Sequence, residues 1–336
     1  MPSALVRGVA CALLLALGTI TQAQTTGTRA PAENDNAEGS PPTSAGPAAE
    51  PEEPPKSDEA TPSSPPKTLL ERFQRMLSPK EDPDGQINTD RPTFTPANTV
   101  VPVGRLQIES GFTFNLEQSG TNRSYVYDLP ELAMRYGLVD RDEFRTFWQG
   151  ETFDQAHSLT GGPGRGIGGY SDMEVGFKWQ LFAGDKERKW IPTTALITSI
   201  MAPTGGTSLL SSQTVEPYIN LIYGWGLTDK WTLAGSTGYL GIRQQPTPGS
   251  GHAADNFQRF HQSLVAFYSP TEKTTLFYEW YVFTFTNAAD NRPTHFMDGG
   301  VLYRPVPNIQ FDLRAGFGLS GRPDDFFTGA GFSFRF

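Results

Sequence analysis

The side chains best able to do chemistry are charged, and they recur at every second position. Glu109, Glu131, Arg135, Glu143, Arg145, Glu174, Lys178, Glu216, Glu279, Asp298, Asp312 and Arg314 each fall in a run that alternates polar with apolar residues. Side chains on a strand point to opposite faces with period 2, so these groups share the polar faces of strands. If the strands close on themselves, the charges meet inside a barrel. Two uses follow: a polar lumen that passes a solute, or a salt-bridge network that plugs and stiffens a narrow barrel. The structural use carries more weight. Both signs occur on adjacent strands, with Glu131 and Arg135 set against Glu143 and Arg145, and buried ion pairs are not in themselves evidence of function.

Other candidates are weaker. His261-Gln262-Ser263 puts a His and a Ser on one strand face, as in the outer-membrane phospholipase. That enzyme's motif continues Asn-Gly, whereas Leu264-Val265 follow here, and Arg259 on the same face turns the pair toward the lumen. The triad arrangement is unmet, so no catalytic residue is assigned. The glycine-rich run 161–169 opens no helix and lacks the Lys-Ser/Thr end of a phosphate cradle; it reads as an external loop, able to fold into the mouth. His157, His252 and His295 give no metal-ligand spacing. No metal and no cofactor is expected. Trp148, Phe153 and Tyr170 either face lipid or line a hydrophobic access site.

The elements that must position these groups follow from the pattern. Residues 1–23 read as a secretory signal peptide, with Arg7 before the apolar stretch Gly8–Ile20. Cys11 is the sole cysteine and leaves with it, so the mature chain offers no thiolate, disulfide or cysteine metal site. Residues 24–66 are a Pro-, Ala- and Glu-rich stretch that cannot bury enough surface to order itself, a disordered periplasmic arm. Residues 67–104 hold a short amphipathic helix, ended by Pro79, and then an extended lead-in whose prolines forbid a central strand. There Asp90 and Arg91 either pair with charges at the periplasmic mouth or are solvated.

Residues 105–336 read as an all-β, transmembrane, antiparallel up-and-down barrel of about twelve strands, each about ten residues long. Short charged turns alternate with longer loops, and Trp179, Trp190, Trp225 and Trp231 sit near the short-turn ends, where an aromatic girdle belongs. The last strand puts Phe332, Phe334 and Phe336 on one face, resembling the pattern that barrel-assembly machinery recognises. With 36 acidic against 27 basic residues, the chain is not built to bind nucleic acid.

Thr89-Asp90-Arg91-Pro92, Leu106–Gly111 (LQIESG), Pro203-Thr204-Gly205, Gln310-Phe311-Asp312 and the Phe-rich end together resemble the family labelled "putative MetA-pathway of phenol degradation". The resemblance implies a Gram-negative outer-membrane barrel for passive uptake of small, hydrophobic or aromatic compounds, performing no chemistry. Its implied partners are outer-membrane lipids, the assembly machinery and a small solute, with the barrel monomeric. The competing expectation is a non-conducting, envelope-anchoring barrel; a lipid-modifying enzyme is the third.

Overall fold

Each alternating run pairs with its neighbour in sequence, and the last pairs with the first. The computed structural model describes residues 84–336 apart from 120, 160–163, 185–189, 207–209, 245–254, 287–291 and 321–325. The strand segments are β1 (Leu106–Ser119), β2 (Asn122–Val139), β3 (Asp142–Trp148), β4 (Glu151–Ser158), β5 (Arg165–Tyr170), β6 (Met173–Ala183) and β7 (Thr193–Ala202). They continue with β8 (Glu216–Gly226), β9 (Trp231–Gln244), β10 (Asp255–Tyr268), β11 (Thr274–Thr286), β12 (Thr294–Val306), β13 (Ile309–Gly318) and β14 (Phe326–Arg335). β3 and β4 are halves of one interrupted strand, and so are β5 and β6. The result is a twelve-stranded antiparallel barrel, closed by β1 pairing with both β2 and β14. The signal peptide, the arm and the amphipathic helix lie outside the described residues.

Strand lengths depart from the expected ten. β2 has 18 residues and β1, β9 and β10 have 14 each. The glycine run expected as a loop is strand from Arg165 onward, because β5 pairs with β4 from Ala156 to Glu151.

Alternation sorts the side chains as expected over most of the wall. On β13, Gln310 and Asp312 are buried while Phe311, Leu313 and Phe317 are about half exposed. On β14, Phe332 faces outward and stacks on Phe334. Near the short turns the register slips at Gly137–Val139, Gln180–Phe182 and Tyr303–Val306, and farther along the wall the alternation changes phase at two more points. β2 carries an extra residue at Leu129–Pro130, where its register with β1 slips between Gly111 and Thr113. A bulge inverts the faces beyond it, and proline is tolerated at such a point. Asp128 is therefore buried and Tyr127 exposed, the reverse of simple alternation. The break at Gln149-Gly150 does the same for β4, burying Thr152 and Asp154 and exposing Phe153. Phe153 and Tyr170 sit on the outer surface, not in a lumenal access site.

These irregularities line up across neighbouring strands. Gln149-Gly150 part β3 from β4, Ser171-Asp172 part β5 from β6, and β7 ends at Ala202 at the same level. Besides the backbone bonds from Ser171 N to Gly150 O at 3.1 Å and from Gly206 N to Tyr170 O at 3.2 Å, side chains bridge the seam. Asp172 accepts from the Gly205 and Ser212 amides at 2.7 and 3.1 Å, and the Trp148 indole donates to the Ser171 carbonyl at 3.2 Å.

Leu313 tests the outer face. It is 53 % exposed, opposite Val301 and Ala330. Leu313→Arg should cost about 2–4 kcal/mol if that face meets lipid near mid-membrane. Reversible unfolding in lipid vesicles reads the cost; a loss below a few tenths would place Leu313 outside the hydrocarbon.

Candidate functional site

The stretch before β1 is neither solvated nor confined to the mouth. Residues 84–104 run into the lumen and out again as a strap with no regular structure. The strap enters at the short-turn end, the side expected to face the periplasm. There the Ile87 amide donates to Pro307 O at 2.7 Å and Gln86 to Glu272 O at 2.7 Å. It turns at Pro92–Thr95 and returns to the same end, where Val103 bridges Gly137. Ile87 and Val101 are almost fully buried.

Irregular backbone inside a barrel has amides with no ladder to join, and a buried unpaired amide is costly. The lumenal carboxylates supply the acceptors. Glu109 takes the Asp90 and Arg91 amides at 3.2 and 3.0 Å. Glu279 takes the Phe94 and Thr95 amides at 2.6 and 2.7 Å, and the Thr95 hydroxyl at 2.5 Å. Glu143 takes the Val101 amide at 2.7 Å, and Asp90 itself takes that of Ala97 at 3.0 Å.

The strap's two charges are locked in turn. Asp90 lies 2.7 Å from the Lys178 ammonium, 3.0 Å from Arg145 and 3.3 Å from Arg135. Burial alone would raise its carboxyl, but those three cations outweigh the desolvation and hold it far below the usual carboxylate range. A carboxyl with a depressed folded value stabilises the docked strap above its unfolded pKa, and loses that effect only as pH falls through the depressed value. Arg91 pairs with Glu131 and reaches Asp312 at 3.5 Å. Its guanidinium occupies space that two glycines leave open: a Cβ at Gly111 or Gly331 would come within 2.4–2.5 Å of Arg91 atoms.

The charged residues singled out in the sequence therefore divide. Glu109, Glu131, Arg135, Glu143, Arg145, Lys178, Glu279, Asp312 and Arg314 all touch the strap; Arg314 donates to Pro92 O at 2.9 Å. Of the cross-strand pairs expected, Arg135 meets Glu143 at 2.8 Å, while Glu131 and Arg145 turn to the strap instead. Glu174 lies behind Arg145 at 3.6 Å. Glu216 accepts from the Arg243 amide at 2.7 Å, and Asp298 faces Glu279 across β11–β12, its oxygens buried without a hydrogen bond. His261 and Ser263 do not bond each other. Ser263 meets the Thr95 and Ser236 hydroxyls at 2.7 and 2.8 Å, and His261 meets Asn220 at 3.2 Å.

Alternation of charges did not disclose the second half of the site. Beyond the strap's tip, toward the long-loop end, the lumen holds an apolar compartment beside a few buried charges, among them Glu216 and Arg259, whose guanidinium lies 4.6 Å over the Phe283 ring. Leu240, Ile242, Phe257, Tyr281, Phe283, Phe285, Phe296 and Phe327 form one buried cluster with Met201, and Phe94 and Tyr218 pack against it. The signal that could have found it lies in β11. Tyr281, Phe283 and Phe285 occupy its inward face beyond Glu279, while Trp280 and Val282 occupy the other. A barrel strand apolar on both faces has an apolar lumen beside it.

The model of the family described as "Putative MetA-pathway of phenol degradation" matches residues 89–336, from the strap to the last strand. The chain belongs to this family. Its fold is a closed antiparallel β-barrel. Among solved structures it is similar to an outer membrane channel from Pseudomonas putida F1, at 14% identity and a TM-score of 0.56, covering 71% of this chain and 98% of that one. It also resembles the β domain of the Bordetella autotransporter BrkA, at 12% identity and a TM-score of 0.46, covering 70% and 100%. Both likenesses concern the fold alone. No curated protein matches the sequence. The family match begins at Thr89, so the region it shares includes the strap as well as the wall.

Removing one partner from a buried ionic cluster is expensive, about 3–5 kcal/mol. Asp90→Ala should therefore loosen the strap while the wall ladder stays intact. Hydrogen exchange at the Phe94 and Thr95 amides should quicken by two orders of magnitude or more, with β10 and β11 unchanged. Equal protection in both proteins would mean that Asp90 does not hold the strap.

Proposed function

We propose that this barrel is a channel for the passive passage of small apolar solutes, aromatic ones included, across the outer membrane. One observation carries the proposal: the external half of the lumen presents a buried aromatic and aliphatic cluster of nine residues. Burial of apolar surface attracts an apolar solute at about 25 cal/mol per Å², whereas ions and sugars gain nothing there. Below that cluster the strap and its ion pairs occupy the way to the periplasm. A solute admitted from outside then leaves through the wall, and the seam at Gln149-Gly150 and Ser171-Asp172 is the part of the wall without a continuous ladder.

A second proposal rests on the same lower layer. A lumen filled by ion pairs is also what a non-conducting, envelope-anchoring barrel would have. The two differ in flux. Planar-bilayer recordings and solute uptake by vesicles, each with the intact mature chain and with residues 84–104 deleted, separate them. The channel predicts little ionic conductance while the strap is present, clear conductance without it, and uptake of toluene by intact-chain vesicles well above that of protein-free vesicles. No excess toluene uptake from a correctly folded barrel would favour the anchoring role.

A further inference from the structure

The tip of the strap behaves as a bound ligand. Phe94 stacks on Tyr281 with ring centroids 4.5 Å apart and planes at 13°, and it meets Phe283 and His261 edge-on at 5.3 and 5.1 Å. Tyr218 closes the other side of His261, stacked at 5.6 Å. Parallel and edge-to-face rings at these distances are the favourable arrangements for aromatic groups. The ring thus sits in a slot with aromatic walls on three sides, and the Phe94 and Thr95 amide bonds to Glu279, with the Thr95 hydroxyl bonds to Glu279 and Ser263, hold its backbone there.

One wall of the slot is polar in a specific way. His261 crosses from β10 over Gly238 on β9 to reach Asn220 on β8, the three residues being in register. A Cβ at position 238 would stand 2.1 Å from the imidazole, so glycine makes the crossing possible. His261 and Asn220 are 3% and 1% exposed, yet His261 Nδ1 and Asn220 Nδ2 have no hydrogen-bond partner. Whichever way the amide is turned, its bond to Nε2 uses one donor and one acceptor and leaves the pair one of each. Buried groups of this kind gain from a partner that can both donate and accept.

We propose that Tyr218, His261, Tyr281, Phe283 and Asn220 form a binding subsite for a single-ring aromatic carrying a hydroxyl, and that Phe94 occupies it in the solute-free protein. The inference rests on the channel proposed above. The solute's ring replaces that of Phe94 against Tyr281, and its hydroxyl meets His261 or Asn220. Solute and strap tip then compete, so arrival of a solute frees the strap at its innermost point.

The test is equilibrium binding to the folded barrel in nanodiscs, with phenol, toluene and cyclohexanol as probes. Wild type should bind phenol best, ahead of toluene by about threefold to tenfold, the worth of one hydrogen bond. Phe94→Ala should raise phenol affinity about tenfold or more by removing the competitor. His261→Phe should abolish the preference for phenol over toluene while keeping ring binding. In the wild type, phenol should also speed hydrogen exchange at the Phe94 amide, a readout that needs no variant. Cyclohexanol binding as well as phenol, or phenol affinity and Phe94 exchange both unmoved by competition, would overturn the proposal. Toluene uptake without these binding effects would sink the subsite and leave the channel standing. Phenol binding without any uptake would do the reverse.

Discussion

A backbone threaded through a barrel must find partners for its amides without a ladder. That constraint organises this molecule. The strap contains Pro92, Pro96 and Pro102, so it cannot add a strand to the wall from within. Each buried amide left unpaired would cost about 1–3 kcal/mol. The wall answers with carboxylates, each able to accept several bonds. Once Glu109 and Glu143 are committed to amides, their charges need cations, and Arg135 stands beside both with Lys178 beside Glu143. Arg135 and Lys178 in turn share Asp90 with Arg145. The charges that touch the strap thus serve to hold it, and their mixed sign fits that use.

Much of this was legible and some was not, for definable reasons. The outward and inward rows of β1, β6, β13 and β14 follow from period-2 patterning, because lipid outside and packed charge inside select opposite residues. Short-turn and long-loop ends could be told apart for the same kind of reason: Asp140-Arg141 closes a tight turn, whereas the connections at the other end are long. The phase changes at Leu129–Pro130 and Gln149-Gly150 were hidden. A bulge adds one residue without altering composition, and only the proline and glycine beside it hint at one. The strap's path was hidden more deeply. Asp90 and Arg91 look the same in sequence whether solvated at a mouth or buried, since their partners lie up to 221 positions away: Asp312 for Arg91, Lys178 for Asp90. The aromatic compartment was readable in β11 but was masked by the general rule that barrel aromatics face lipid.

The two parts of the lumen resist displacement differently. Around Asp90 three cations converge on one carboxylate with little access to water, and removing either sign leaves the other buried and unpaired. Around Phe94 the contacts are ring on ring. Another aromatic ring of similar size can replace them at little cost, because it regains the same stacked and edge-to-face contacts and the same burial. The strap is therefore anchored by charge along its arms and held at its tip by an exchangeable contact.

That asymmetry bears on how an apolar solute could cross without opening a water pore. In the proposed channel, exchanging rings at the tip would leave the arms of the strap docked, so the ionic layer would continue to exclude bulk water while the compartment above it filled and emptied. A solute held there cannot pass downward through buried charge, where it would gain no burial and would separate ion pairs. Sideways the cost is smaller. At the seam the contacts are single bonds: Ser171 N to Gly150 O and Gly206 N to Tyr170 O along the backbone, Asp172 to the Gly205 and Ser212 amides of the following loop, and Trp148 to Ser171 O. Each such bond is worth about 0.5–1.5 kcal/mol net, more where the acceptor is charged. Breaking one or two of them is within reach of the free energy that a ring recovers on leaving for the hydrocarbon, whereas unzipping a full ladder is not.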